Sequence, residues 1–565
     1  MNAFADKPWL AAYAEGVPAT IEPPTGSLVD MMDAAVKTYK SAVALDFFGA
    51  TTSYNLLGEQ ISRVANGLAK LGVKAGDRVA LVLPNCPQHI VAFYAVLRLG
   101  AIVVEHNPLY TPRELRHQFE DHGARVAIVW DKAVDTVLAF PKDIAQRATV
   151  SVDLTRAMPF GKRLALRLPL KKARTARTAL TSATLSKGAI SWDTLVTARP
   201  IRRSHPRPAV TDTAVLQYTS GTTGSPKGAI LTHLNLHSNA LQGVAWVPGL
   251  QRGREVVYAV LPMFHAYGLT LCLTFAMSMG ARLVLFPKFE PSLVLDAART
   301  TPPTFLPAVP PIYDRLVTAA AERKASLGSI RFAISGAMNL PVATVERWES
   351  ATGGLLVEGY GMTETSPVAA GNPIGPTRRP GTVGVPFPST EIRVADPDDS
   401  TIDRGFDEEG ELLIRGPQVF SGYWNRPDET AAVLLADGWL RTGDIVRVSA
   451  DGFITIVDRM KELIITGGFN VAPSEVEEAL ISHPSVADVA VVGILSEAGG
   501  EVVTAAVVLV PGAVLDVEAL RHYCRSQLSA YKVPRKIVQV DELPHSLIGK
   551  VLRRQVRAQL TRTAD

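Results

Sequence analysis

Residues 218–229, YTSGTTGSPKGA, set three glycines, a run of hydroxyl side chains and one lysine between two apolar stretches at 214–217 and 229–231. Glycines let backbone amides close around an anion, hydroxyls donate to phosphate oxygens, and Lys227 adds a mobile positive charge. A triphosphate is the natural ligand for such a loop. The string departs from the Walker pattern: the spacing before the lysine differs, and Pro226 and Gly228 flank it where Gly and Ser/Thr would stand. A kinase or GTPase reading is weakened accordingly. A flexible polar turn is the competing account, and the ordered string TSGTTGSPKG argues against it. A lone histidine, His265, lies in LPMFHAYG; such a residue is more often structural than a proton carrier.

These residues need a frame. A chain of 565 residues with 47% hydrophobic content predicts two or three domains with sizeable cores. The formal net charge of +4 gives no reason to expect nucleic acid as a partner. Cys86, Cys272 and Cys524 are dispersed and show no CxxC pair, so neither a disulfide framework nor a zinc site is expected, and a reducing cytoplasm fits. The N-terminus lacks the continuous apolar core of a secretory signal. The apolar stretch 268–286 is interrupted by Gly280 and Arg282 and reads as buried core rather than a membrane span.

Periodicity predicts helices at 56–71 and 89–99 and strands at 78–83, 126–129, 281–286 and 330–335, an alternation that favours a layered α/β domain. After residue 382 short strands at 384–394, 411–414 and 453–457 suggest a β-rich subdomain. Beyond Asp458, Ser474 and Glu477 stand in capping-box spacing before a helix. Strands at 486–494 and 502–510 and a helix at 517–528 complete a small α+β domain. The division expected is 1–458 and 459–565. From 154 to 192 there is no acidic residue, while Arg156, Lys162, Arg163, Arg167, Lys171, Lys172, Arg174, Arg177 and Lys187 are basic. If 160–168 is helical, Phe160, Leu164 and Leu168 form one stripe and Arg163 and Arg167 another, as in a segment lying on an anionic membrane surface; a solvated basic loop is the alternative.

At residues 218–229 the chain resembles the adenylate-forming superfamily of acyl-CoA synthetases, luciferases and peptide-synthetase adenylation domains. The likeness recurs in order at LPMFHAYG from Leu261, EGYGMTETSP from Glu358, DGWLRTGD from Asp437, DRMKELIITGGFNVAPSEVE from Asp458 and GKVLRR from Gly549. The chain is most similar to the bacterial long-chain fatty-acid–CoA ligases. That resemblance implies a large N-terminal AMP-binding domain and a small C-terminal domain that turns about a hinge at Asp458. It implies that Thr219, Ser220, Gly221, Thr222, Thr223, Gly224 and Lys227 hold ATP phosphates, with Thr219 and Glu364 placing Mg2+ on them. Gly336, Ala337, Tyr360, Gly361 and Met362 resemble the adenine pocket, and Thr363 the residue near the α-phosphate. Asp444 and Arg459 match the ribose-binding positions. His265, Tyr267, Gly268 and Leu269 match the acyl site, and Gly467, Gly468 and Phe469 the coenzyme A (CoA) tunnel.

Lys550, with Lys227 and Glu364, is the expected catalytic group, its ammonium bridging carboxylate and α-phosphate. Here the chain departs from the family: Ser546, Leu547, Ile548, Gly549 and Lys550 stand where Pro-x-Thr-Gly-Lys is common. The implied reaction converts a fatty acid, ATP and CoA to acyl-CoA through an acyl adenylate, releasing AMP and pyrophosphate. Two alternatives stay open: a ligase that stops at acyl-AMP or loads a carrier protein, and a non-catalytic nucleotide-binding lipid sensor. Chain length of the acid and oligomeric state are not readable.

Overall fold

The computed structural model of the chain describes residues 3–182, 184–219, 226–460, 462–466, 469–495, 501–528, 531–546 and 549–562. The chain divides into two compact units. The larger takes Ala12–Thr390 and Arg415–Gly438; the smaller takes Met1–Ala11, Glu391–Ile414 and Trp439–Asp565.

Two sheets organise the larger unit. In one, Arg78–Val82 lies between Ile102–His106 and Val126–Trp130, all parallel, with Ala148–Val152 and Thr213–Thr219 outside them. Ile102–His106 and Val126–Trp130 are buried at every position, as parallel strands covered on both faces must be. In the other, Val43–Phe47, Arg282–Leu285, Val256–Ala259, Phe305–Ala308, Phe332–Ser335 and Leu355–Gly361 run parallel in that order. Val368–Gly371 and Val385–Pro386 then add antiparallel edge strands. The helix Pro87–Arg98 is buried at every position after Pro87, so its apolar residues surround it rather than forming a stripe. This is the layered α/β build expected.

Residues 268–286 are core as anticipated, folding as the buried segments Leu269–Thr274 and Phe275–Ser278 before the strand Arg282–Leu285. No helix among the described residues is long and apolar enough to cross a membrane. The strand expected at 384–394 is instead two, Val385–Pro386 and Glu391–Ala395, in different sheets. Pro386 and Pro388 withhold ladder donors, and Ser389 takes a left-handed turn at φ 61° between the two strands.

In the smaller unit Glu391–Ala395, Gly410–Arg415, Leu440–Val448 and Ile454–Arg459 form a four-stranded sheet. Val486–Leu495, Glu501–Leu509 and Lys536–Gln539 form a second, three-stranded one. Alternation along Val486–Leu495 sorts its side chains to two cores: Val489 and Val491 pack with Val476, Leu520 and Cys524, while Ala490 and Val492 pack with Val556 and Leu560. The capping box expected from Ser474 and Glu477 is not formed. The helix Pro473–Ile481 starts with Ala472 at its N-cap, which has no side-chain oxygen to offer. The Ser474 N–H donates instead to Asp458 Oδ2 at 2.8 Å.

Candidate active site

The glycine- and hydroxyl-rich segment connects an antiparallel pair, Thr213–Thr219 and Lys227–Thr232, whose register sets Thr219 directly opposite Lys227. Ser220, Gly221, Thr222, Thr223 and Gly224 lie outside the described residues. Below the loop the pair is anchored at its side chains. The Tyr218 hydroxyl donates to Asp121 Oδ2 at 2.6 Å, and its ring stacks on His106 with centroids 6.1 Å apart. Gly228 faces that ring so closely that a Cβ would stand 3.3 Å from the Tyr218 Cζ, which explains glycine after the lysine.

Lys227 forms an ion pair with Glu429, and its ammonium lies 5.1 Å from the centre of the Tyr423 ring. Tyr423 in turn donates its hydroxyl to Glu364 Oε1 at 2.6 Å. Glu364 is buried on the single turn Thr363–Thr365, which follows the strand Leu355–Gly361 and packs on Lys227–Thr232. The structure therefore brings together Lys227, Glu364 and the Thr363–Thr365 turn. Tyr360 and Gly361 end the preceding strand, and Gly361 has no room for a side chain, since a Cβ would lie 1.8 Å from the Pro367 carbonyl oxygen. Met362 N–H is held by the Thr365 hydroxyl at 3.0 Å.

The LPMFHAYG string wraps onto the neighbouring strand ends. Tyr267 donates to the Ile334 carbonyl at 2.7 Å, and its ring leaves only 3.2 Å for a Cβ at Gly336. Ala337, the next residue, has φ 66°. Tyr267 thus packs on Gly336, next to Ala337. Gly268 approaches the Pro262 carbonyl, where a Cβ would stand at 2.2 Å, and Leu269 is fully buried. His265 Nδ1 accepts the Tyr267 N–H at 3.3 Å, leaving the proton on Nε2. Burial pushes the His265 pKa down to about 4, so the ring is neutral near pH 7 and the capping role is structural.

The remaining expected residues belong to the smaller unit. Asp444 is buried on the strand Leu440–Val448 and pairs in register with Arg459. Asp458 is buried, with Arg553 Nη1 3.6 Å from its Oδ1. Lys550 follows Gly549, at φ 81°, in a turn where the Ser546 hydroxyl accepts the Lys550 N–H at 3.1 Å. Gly467 and Gly468 lie outside the described residues; Phe469 opens the strand Phe469–Val471.

Sequence reasoning missed several groups that hold the site. Asn85, buried, accepts the Met263 N–H and donates to the Ala259 and Leu261 carbonyls, fixing the LPMFHAYG loop. Gln217 donates to the Phe264 carbonyl at 2.7 Å. Tyr423 and Glu429 were equally silent; the only signal was a cluster of polar and aromatic residues at 421–430.

A hairpin whose connecting sequence is rich in glycine and hydroxyls, with Lys227 and Glu364 both in contact with Tyr423, on a layered α/β body with a small α+β unit, defines a nucleotide-binding protein outside the Walker class. Residues 32–424 match the model of the AMP-binding enzyme family, and residues 475–550 that of the AMP-binding enzyme C-terminal domain. The chain is 37% identical to a long-chain-fatty-acid–CoA ligase of Bacillus subtilis over 99% of both chains. It is 39% identical to one of Yersinia pestis over 98% of both. A crystal structure of ATP-bound MatB from Rhodopseudomonas palustris superposes with a TM-score of 0.80 at 30% identity, covering 96% of this chain and 100% of that one. The chain belongs to the AMP-binding enzyme family.

Proposed function

We infer that the chain is an ATP-dependent acyl-CoA synthetase, an acid–thiol ligase that converts a medium- to long-chain fatty acid to its CoA thioester through an acyl adenylate. The observation that carries this reading is the phosphate hairpin with Lys227 set beside Glu364 through Tyr423. In the first step the substrate carboxylate attacks the α-phosphorus of ATP and pyrophosphate leaves. Lys227 neutralises the phosphate charge, and Lys550 bridges the carboxylate and the α-phosphate as charge moves between them. In the second step the thiol of CoA attacks the acyl carbonyl and AMP leaves. Thr219 and Glu364 offer a hydroxyl and a carboxylate, the hard oxygen donors suited to Mg2+, which when bound would offset the charge of the phosphates.

The same proposal has Gly336, Ala337, Tyr360, Gly361 and Met362 hold the adenine, Thr363 meet the α-phosphate, and Asp444 with Arg459 hold the ribose. His265, Tyr267, Gly268 and Leu269 shape the acyl site, and Gly467, Gly468 and Phe469 admit the pantetheine arm. Residues 459–565 turn about Asp458 between the two steps. The enzyme works in the cytoplasm, and the basic segment 156–187 meets the anionic face of the membrane that holds its substrate. Support for that contact comes from exposed Phe160, Leu164, Leu168 and Leu170, and from the helices Phe160–Ala165 and Lys171–Leu180, which bury no residue.

Pyrophosphate release screened over acids of varied length, with mass spectrometry of the products, tests the reading. CoA-dependent thioester formed best from medium to long chains is expected. Acyl-AMP accumulating without thioester would overturn it in favour of a carrier-loading ligase.

A further inference from the structure

Residues 420–430 lie along the phosphate hairpin and touch both its Lys227 and Glu364 of the neighbouring Thr363–Thr365 turn. On one side this segment continues the hairpin ladder. The Ile230 N–H donates to the Gly422 carbonyl at 2.9 Å, the Ser421 N–H to the Ile230 carbonyl at 3.1 Å, and the Trp424 N–H to the Gly228 carbonyl at 2.8 Å. On the other side the Phe420 N–H donates to the Glu364 carbonyl at 2.8 Å. The Thr430 hydroxyl accepts the Tyr423 N–H at 2.8 Å and closes the segment on itself. The backbone carrying Lys227 and the backbone carrying Glu364 are therefore fastened to one strap.

We propose that this strap is a working part of the phosphate site, in which Tyr423 positions the Glu364 carboxylate and Glu429 is a resident counter-ion of Lys227 that the β- and γ-phosphates of a nucleoside triphosphate displace. The proposal rests on the nucleotide-binding reading above. A single side chain, Tyr423, reaches both groups: its hydroxyl donates to Glu364 and its ring lies beneath the Lys227 ammonium. The hydroxyl is the donor in that bond and Glu364 Oε1 the acceptor. A cation over a ring retains part of its stabilisation while its anionic partner is exchanged.

Glu429 suits the exchange. Lys227 is 14% exposed at its side chain and Glu429 is 37% exposed, so the carboxylate stands toward solvent relative to the ammonium. Arg426 Nη1 lies 3.7 Å from Glu429 Oε1. When Lys227 turns to phosphate, Glu429 keeps a cation beside it and is not stranded. A carboxylate paired with the lysine lowers the cost of holding a largely buried ammonium. It also competes with the incoming phosphates, so the wild-type affinity for ATP is a difference between two pairings.

Equilibrium binding of ATP and of AMP by calorimetry, on the full chain, separates the roles. Glu429→Gln keeps the shape and removes the competing charge. ATP should then bind about 5- to 10-fold more tightly, with AMP affinity unchanged because AMP lacks the displacing phosphates. Unchanged or weaker ATP binding with unchanged AMP binding would overturn the counter-ion role. Equal weakening of both nucleotides, with a lowered melting temperature, would show a structural residue and overturn it too. Tyr423→Phe retains the ring under Lys227 and loses only the hydroxyl. Its KM for ATP should stay within twofold while kcat for adenylation falls about tenfold; an unchanged kcat would refute the positioning role. Wild-type protein that binds neither nucleotide would instead refute the nucleotide reading on which both rest.

Discussion

Lys550 sits where a backbone turn is fastened twice, by the Ser546 N–H donating to the Lys550 carbonyl at 2.7 Å and by the Ser546 hydroxyl accepting the Lys550 N–H at 3.1 Å. The Ser546 hydroxyl is thereby one of the groups that hold the Lys550 backbone in place. Lys550→Ala is expected to slow adenylate formation at least about 100-fold, the scale of removing one preorganised charge partner from a transition state. Thiolysis of supplied acyl-AMP should stay within a few-fold of wild type. Single-turnover kinetics of each half-reaction measures both, and equal loss in the two would reassign Lys550 to structure. Lys227 was legible in the sequence because the glycine-rich spacing around it states its chemistry locally, whereas Glu364 was legible only through the resemblance carried by EGYGMTETSP. Tyr423 was not: its partner lies 59 residues away in the chain, and nothing about an isolated tyrosine says which carboxylate it will meet. His265 was legible as a position and not as a role, since its neutral state follows from burial that only the fold supplies.

Regular elements followed from period alone wherever an apolar stripe or run was long. The helix Tyr54–Lys70 and the strands Arg78–Val82 and Val126–Trp130 lie within a residue or two of their expected bounds. What periodicity missed are ends that distant residues complete. The first turn of Pro473–Ile481 is the clearest case, because its cap comes from Asp458, 16 residues earlier, rather than from the local Ser474. Asp458 also faces Arg553, whose guanidinium bonds Glu477 at 2.9 Å through Nε and the Ser474 hydroxyl at 2.8 Å, and pairs with Glu462. The helix starts at Pro473 and Arg553 are thus tied at the residue proposed as the hinge. Asp458→Ala removes the acceptor for the Ser474 N–H and one of the carboxylates facing Arg553. It should cost about 1–2 kcal/mol in unfolding free energy, the usual scale of a lost cap, while Asp458→Asn, which keeps the acceptor, should recover most of that. Urea denaturation of the full chain reads both; no loss in Asp458→Ala would deny the cap its role.

Across the whole molecule two collective properties follow from where charge lies. The partition that joins residues 391–414 to 439–565 was not legible, because it depends on which strand pairs with which. The charge pattern was, because it survives any fold. Burial pushes His106 and His233 down to about 4, and His122 well below its ordinary value. In the unfolded chain these groups titrate near 6.5, so between pH 6.5 and 4 the unfolded state binds more protons. Stability is then fully present above pH 6.5 and lost on acidification, by about 3 kcal/mol for each of His106 and His233 at the acid end. Unfolding free energy measured from pH 7.5 to 4.5 should fall steeply below 6.5, and a flat profile would contradict the burial assigned to these rings. The second property is the basic face at residues 156–187. Arg156 pairs with Asp193 and Lys162 donates to the Phe48 carbonyl, but among the described residues Arg163, Arg167, Lys171 and Lys172 show no ion pair. They flank Phe160, 77% exposed, and Leu164, 57% exposed, so apolar contact and unneutralised charge occupy one surface. Each cation near an anionic bilayer contributes about 1 kcal/mol, falling with salt. Changing these four to Gln should weaken binding to phosphatidylglycerol vesicles at least tenfold in 0.1 M salt. Activity on a water-soluble short acid should be unchanged, because none of the four belongs to the proposed phosphate or acyl site. Unaltered vesicle binding would reject the membrane contact, and a parallel loss of soluble activity would show instead that the segment supports the catalytic unit.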